Sequence, residues 1–79
     1  MDHLKFKKGD IIISKRQGKK GFRIYKVLDI VISQGYRCYR TYNYITKNEH
    51  CLRVKAGKKY KYFGDKIDDE LIKLLYAGH

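Results

Sequence analysis

Histidine and cysteine are the side chains of this chain best suited to acid–base, nucleophilic or metal chemistry, and they are few and scattered. The histidines stand at positions 3, 50 and 79, and the cysteines at positions 38 and 51. His50 directly precedes Cys51, but adjacent residues of a strand point to opposite faces, and zinc ligands usually come in closely spaced pairs such as Cys-x-x-Cys. The sequence therefore predicts no metal or other cofactor, no disulfide framework and no catalytic residue.

Lysines and arginines form the larger set of chemically useful side chains, and they are concentrated before Gly64. Seventeen of the nineteen lie there with only four of the eight carboxylates, whereas the last fifteen residues carry two bases and four acids. The same first part of the chain holds all three phenylalanines and seven of the eight tyrosines. Cations attract phosphates and aromatic rings stack on bases, so this combination favours a nucleic-acid partner.

The basic residues occur in clusters. Lysines at 5, 7 and 8 precede the first predicted strand, a second cluster surrounds a glycine-bracketed loop at 17–21, and a third follows position 52. We expect the first loop and the last hairpin to lie close together and to form one positively charged surface. The residues predicted to bind nucleic acid or another partner are Lys15, Arg16, Lys19, Lys20, Arg23, Arg37, Tyr39, Arg40, Arg53, Lys55, Lys58, Lys59 and Lys61. The tyrosines predicted to stack on bases are Tyr39, Tyr42, Tyr60 and Tyr62.

Alternating and β-branched runs predict the elements that position these side chains. Strands are expected at 10–14, 22–33, 36–45, 51–56 and 60–63, separated by glycine-containing or polar turns. In the second strand the even positions are apolar except Lys26, and a strand this long is expected to bend and change partners along its length. In the fourth, Leu52 and Val54 are expected to point inward and Arg53 and Lys55 outward.

The tail changes to a helical period. Apolar residues at 67, 71, 74 and 75 form one stripe, which predicts a helix over about 68–77. Asp68 suits the N-cap, Asp69 and Glu70 suit the first turn of a helix dipole, and Gly78 is a natural stop. The acidic residues of the tail therefore have a structural explanation and are not expected to form a catalytic carboxylate cluster.

Five short strands and one terminal helix predict a mostly β protein. We expect a single domain over 1–79, a small five-stranded antiparallel SH3-like barrel with a C-terminal α-helix that plugs an open end or covers an edge. The segment from Gly9-Asp10 through the basic glycine loop to Val27 resembles the KOW-type opening of SH3-like barrels, found in ribosomal proteins and transcription elongation factors. The resemblance implies contact with RNA or with a transcription or translation machine, through Lys19 and Lys20.

Three functional hypotheses follow. The leading one is a small, basic, non-enzymatic module that binds nucleic acid, with RNA favoured over DNA, through a surface of Lys, Arg and Tyr side chains. The alternative is an inhibitor or adaptor that docks its basic face on an acidic surface of a host enzyme such as a nuclease or an RNA polymerase. The short, Pro-free, Lys- and Tyr-rich composition resembles that of bacteriophage early proteins. The third is a small ribonuclease in which His50 would act as the base.

Location and assembly are also predicted from composition. No stretch approaches the roughly 20 apolar residues of a membrane span, and the first residues lack the apolar run of a signal peptide. We expect a cytoplasmic protein, in the host cytoplasm if it is phage-encoded, without membrane contact. An exposed edge strand could pair two copies, so either a monomer or a homodimer is expected.

Overall fold

The chain forms five strands, one 3₁₀ segment and one α-helix. The computed structural model describes residues 4–78, with the backbone alone described at 56 and 57. The elements are β1 (Ile11–Lys15), β2 (Phe22–Ser33), β3 (Tyr36–Asn43), β4 (Glu49–Arg53), the 3₁₀ segment (Val54–Lys59), β5 (Lys61–Gly64) and α1 (Asp69–Ala77). The prediction of a mostly β protein with a C-terminal helix is confirmed.

All strand pairs are antiparallel and belong to one sheet of order β4-β3-β2-β1-β5. Among the described residues, β4 pairs only with β3 and β5 pairs only with β1, so the two form the edges of an open sheet. The predicted five-stranded antiparallel arrangement is confirmed, but closure into a barrel is not observed. The fourth strand also ends earlier than predicted, because the chain turns into the 3₁₀ segment at Val54.

A β-bulge bends β2, as its length predicted. The pairing of β2 with β3 shifts between Val27 and Asp29, so Leu28 is the additional residue. Val27 lies opposite Thr41 and Ile30 lies opposite Tyr39, which places Val27 and Ile30 on the same face of the sheet. The single apolar parity expected along residues 22–32 is therefore wrong, because side chains on either side of the bulge exchange faces.

The hydrophobic core covers this face of the sheet. Its buried residues come from the N-terminal segment, three strands and the segment before β5: Phe6, Ile12, Val27, Tyr39, Val54 and Tyr60. The Tyr39 hydroxyl lies inside the core and accepts hydrogen bonds from the backbone N–H groups of Lys5 at 2.9 Å and Phe6 at 3.2 Å. A buried hydroxyl is costly unless it is hydrogen-bonded, so these contacts fasten the N-terminal segment onto the sheet.

Helix α1 packs against β2. Its ends are capped as predicted, since the Asp68 carboxylate accepts from the Leu71 N–H at 2.8 Å and Gly78 is left-handed. The helix backbone passes so close to Gly21 that a Cβ there would overlap the Tyr76 carbonyl. The last turn of the helix therefore lies beside the start of β2, at the end of the sheet that carries the 16–21 loop.

Candidate nucleic-acid interface

The first basic loop is a closed turn between β1 and β2. Its ends are joined by the Lys15–Phe22 pair of the strands and by a 3.0 Å hydrogen bond from the Arg16 N–H to the Gly21 carbonyl. The Arg16 guanidinium also reaches the Lys20 carbonyl at 3.4 Å. These contacts hold the loop in one shape, so its cations are presented from a defined position rather than from a free coil.

Cations from two distant parts of the sequence meet beside this loop. Strand β5 pairs with β1, with Lys61 opposite Ile13, and this pairing brings the preceding 3₁₀ segment to the loop. Lys15, Arg16, Arg23 and Lys59 line one cleft of about 540 Å³, called here the basic cleft. None of the described residues that line it carries a carboxylate. The expected approach of the first loop to the last hairpin is found at these positions.

A second cleft, of about 350 Å³, shares Arg16 and Arg23 with the first. We call it the aromatic cleft, and the side chains that line it include Arg16, Arg23, Tyr25, Asn43, His50 and Tyr76. Lys19 also lines it. The two clefts therefore form adjacent halves of one interface that meet at two guanidinium groups.

Three neighbouring strands provide the floor of the aromatic cleft. Tyr25 of β2 pairs with Asn43 of β3, and His50 of β4 pairs with Thr41. The Thr41 hydroxyl donates a 3.0 Å hydrogen bond to the His50 carbonyl, which fixes the backbone of the edge strand at this point. Tyr25 has the same parity as Val27, and residues of one parity point to the same face of a sheet. The floor of the cleft therefore extends the core face beyond Val27 with polar side chains.

Tyr25 separates the core from the cleft. Its ring makes edge-to-face contacts with Tyr60, at 5.5 Å between centroids, and with His50, at 6.1 Å. Burial raises the pKa of Tyr60, Tyr25 adds to the increase, and Arg23 opposes it. Tyr60 is therefore neutral at physiological pH, and Arg23, which opposes the increase in its pKa, lies at the boundary of both clefts.

The Arg16 guanidinium is placed by stacking as well as by the loop. It lies over the ring of Tyr76, near the end of α1, with 4.4 Å between the guanidinium carbon and the ring centroid. A cation over an aromatic face is attracted to it, by about 0.5–1 kcal/mol at exposed sites. The helix therefore contributes to the interface through Tyr76, while Lys20 lies beside its C-cap at Gly78.

Other predicted binding residues lie away from the two clefts. Arg40 and Arg53 are on β3 and β4, on the sheet face opposite to His50 and Leu52. Arg40 is 3.7 Å from the Glu49 carboxylate, and Arg53 lies over the Tyr36 ring at 4.5 Å. Arg37 lies near the β2–β3 turn, opposite Ile32. Three further predicted lysines are exposed but do not line the basic cleft: Lys55, Lys58 and Lys61.

The tyrosine predictions need two corrections, at Tyr39 and Tyr60. Tyr39 is 0% exposed, with its hydroxyl bonded to the N-terminal segment, so its predicted role in binding a partner is wrong. Tyr60 is 7% exposed and belongs to the core, so its predicted stacking on a base is also wrong. Tyr42 is partly buried, and Tyr62 is exposed. The stacking candidates that sequence reasoning missed are Tyr25 and Tyr76. Tyr25 shares parity with Arg23 on β2, which is a usable signal, but nothing in the sequence brings Tyr76 to the first loop.

The described residues contain no group of histidine, cysteine and acidic side chains that could hold a metal ion. No helix among them is long and apolar enough to cross a membrane. Comparisons of the chain with protein-family models, curated proteins and solved structures found no match. The interpretation of the interface therefore rests on its own geometry and charge.

Proposed function

We propose that this protein is a small, non-enzymatic module that binds nucleic acid, RNA in preference to DNA, through the basic cleft. The observation that supports this proposal is the convergence of Lys15, Arg16, Arg23 and Lys59 on one cleft without a carboxylate among its described lining residues. Like charges repel, so such a grouping is favourable chiefly when a polyanion neutralises it. The proposed contacts are with phosphates, which fix position but carry no sequence information.

The shape of the molecule favours recognition of backbone and unpaired bases over major-groove reading. A reading helix presents Arg, Asn or Gln to base edges, whereas α1 has the sequence DELIKLLYA with acids in its first turn. A sheet with aromatic and cationic side chains is instead typical of proteins that bind single strands. This supports RNA as the ligand, in line with what the resemblance to KOW-type modules implies.

The test is a salt series of fluorescence anisotropy titrations with a single-stranded oligoribonucleotide. Counterion release makes log K fall linearly with log salt, by about 0.7 per phosphate neutralised on a single strand. We expect a slope of magnitude about 3, corresponding to the four cations of the basic cleft. Absence of binding at moderate salt, or binding that is insensitive to salt, would contradict the proposal.

A second candidate function is supported by a different part of the surface. Ile32 is 77% exposed and Tyr36 is 55% exposed at the β2–β3 turn, close to the cation of Arg53. Exposed apolar and aromatic side chains beside cations are common in protein interfaces, so an inhibitor that docks on an acidic host enzyme is the alternative proposal. A pull-down from host lysate with and without nuclease separates the two. A stoichiometric protein partner that survives nuclease treatment would favour the inhibitor.

A further inference from the structure

We infer that the aromatic cleft holds one unpaired nucleotide, with its base against Tyr25, His50 and Tyr76 and its phosphate at Arg16 and Arg23. This inference rests on the proposed function and specifies its ligand as a single-stranded segment or strand end. The first observation is the composition of the walls. Three aromatic side chains and two guanidinium groups surround the cleft, which is the combination that stacks bases and neutralises their phosphates.

The size of the cleft is the second observation. Recesses that hold small ligands occupy roughly 300–1,000 Å³, and the aromatic cleft, at about 350 Å³, lies at the lower end of that range. It can therefore accept a ligand the size of one nucleotide but not a stacked duplex. A base held between the first loop, the 43–46 turn and the helix end must be withdrawn from any pairing partner.

The floor of the cleft offers a donor for the base edge. The Asn43 Oδ1 atom accepts hydrogen bonds from the backbone N–H groups of Ile45 at 2.8 Å and Thr46 at 3.2 Å. Both bonds fix the amide so that its NH₂ group is the part that can serve a ligand. An amide NH₂ donates to carbonyl oxygens or ring nitrogens of a base, and those on the Watson–Crick edge are free only in an unpaired nucleotide.

The boundary between the two clefts indicates how the RNA strand crosses the protein. Arg16 and Arg23 line both clefts, so a phosphate bound to them can join a nucleotide in the aromatic cleft to the backbone that crosses the basic cleft. Bidentate guanidinium–phosphate contacts would hold that phosphate with fixed geometry. The two clefts then act on consecutive parts of one strand, the first on a base and the second on phosphates.

The experiment compares one RNA strand, alone and in a fully paired duplex, with a fluorescent adenine analogue that is quenched on stacking. Anisotropy reports binding, and quenching reports occupation of the cleft. The variants are Tyr76→Leu and His50→Ala, and the matched control is Tyr36→Leu. Tyr36 matches Tyr76 because it is also an exposed tyrosine with an arginine over its ring. The guanidinium carbon lies 4.5 Å from the ring centroid in the Arg53–Tyr36 pair and 4.4 Å in the Arg16–Tyr76 pair.

We expect quenching in the single strand only. Tyr76→Leu and His50→Ala should each weaken single-strand binding roughly 5- to 160-fold, the range for loss of one base–aromatic stack. Duplex binding and the Tyr36→Leu control should be unchanged. Equal, salt-dependent binding of both forms with no effect of either variant would overturn this inference and leave the proposed function intact. Absence of salt-dependent binding to either form would overturn both.

Discussion

Replacing Lys15 and Lys59 together by glutamine should halve the salt dependence of RNA binding. Four cations line the basic cleft, and each phosphate neutralised on a single strand contributes about 0.7 to the slope of log K against log salt. The expected slope is therefore about −2.8 for the original chain and about −1.4 for the variant. Between 50 and 200 mM salt, affinity should fall about 50-fold for the first and about 7-fold for the second.

The control is Lys55→Gln with Lys73→Gln, which removes the same charge from two exposed lysines outside the basic cleft. A long-range effect of net charge would reduce affinity similarly in both variants, whereas phosphate contacts in the cleft require the slope to change only in the first. Anisotropy titrations at several salt concentrations measure the slopes. Because all four lysines are exposed, unfolding curves should stay within about 0.5 kcal/mol of the original chain. Equal slopes for the two double variants would refute the reasoning.

Three further predictions concern the scaffold that holds the interface. In urea unfolding, Gly21→Ala should lower the stability of the fold by more than Gly18→Ala. Both glycines have a positive φ, which costs about 1–2 kcal/mol for alanine. Of the two, only Gly21 lies where a new Cβ would overlap the helix backbone, at Tyr76. Equal losses would show that the helix does not lie where described. Tyr39→Phe should lower the free energy of unfolding by about 1–3 kcal/mol in the same assay, because the backbone N–H groups of Lys5 and Phe6 lose their shared acceptor. An unchanged unfolding midpoint would show that the hydroxyl does not fasten the N-terminal segment. Burial raises the pKa of Tyr60 above 10.0, so the folded protein favours the neutral hydroxyl. The stability that this preference contributes should be complete below pH 10 and should be lost as the pH rises through the pKa of Tyr60 in the folded protein. Unfolding of the original chain and of Tyr60→Phe at alkaline pH measures this contribution. An identical loss of stability in the two proteins would show that Tyr60 is not its source.

Local features of the fold were predictable because they depend on neighbouring residues. The glycine loop before β2 and the caps of α1 at Asp68 and Gly78 follow from short-range patterns. The bulge at Leu28 was predictable only as a bend, since its position depends on how β3 pairs with β2. The path of α1 was not predictable, because it depends on a backbone approach to Gly21 between segments far apart in sequence.

The residues of the candidate site were also predictable only in part. Clustering of charge identified Lys15, Arg16 and Arg23, and antiparallel pairing of β1 with β5 brings Lys59 to them. Tyr39 was misplaced because its strand has mixed polarity on both faces, so alternation does not tell which tyrosines are buried. In the structure the ring fills the core, and in a chain without tryptophan a tyrosine is among the largest side chains able to do so.

The measurement that tests the central claim most directly is a titration of the isotope-labelled protein with single-stranded RNA, followed by amide NMR shifts. The account predicts that the largest changes fall on residues 15–23 and on Lys59, with smaller ones around His50, and that they disappear at high salt. Changes confined to the opposite sheet face, at Arg40 and Arg53, or spread evenly over all lysines would contradict the claim that the cations of separate segments act as one surface.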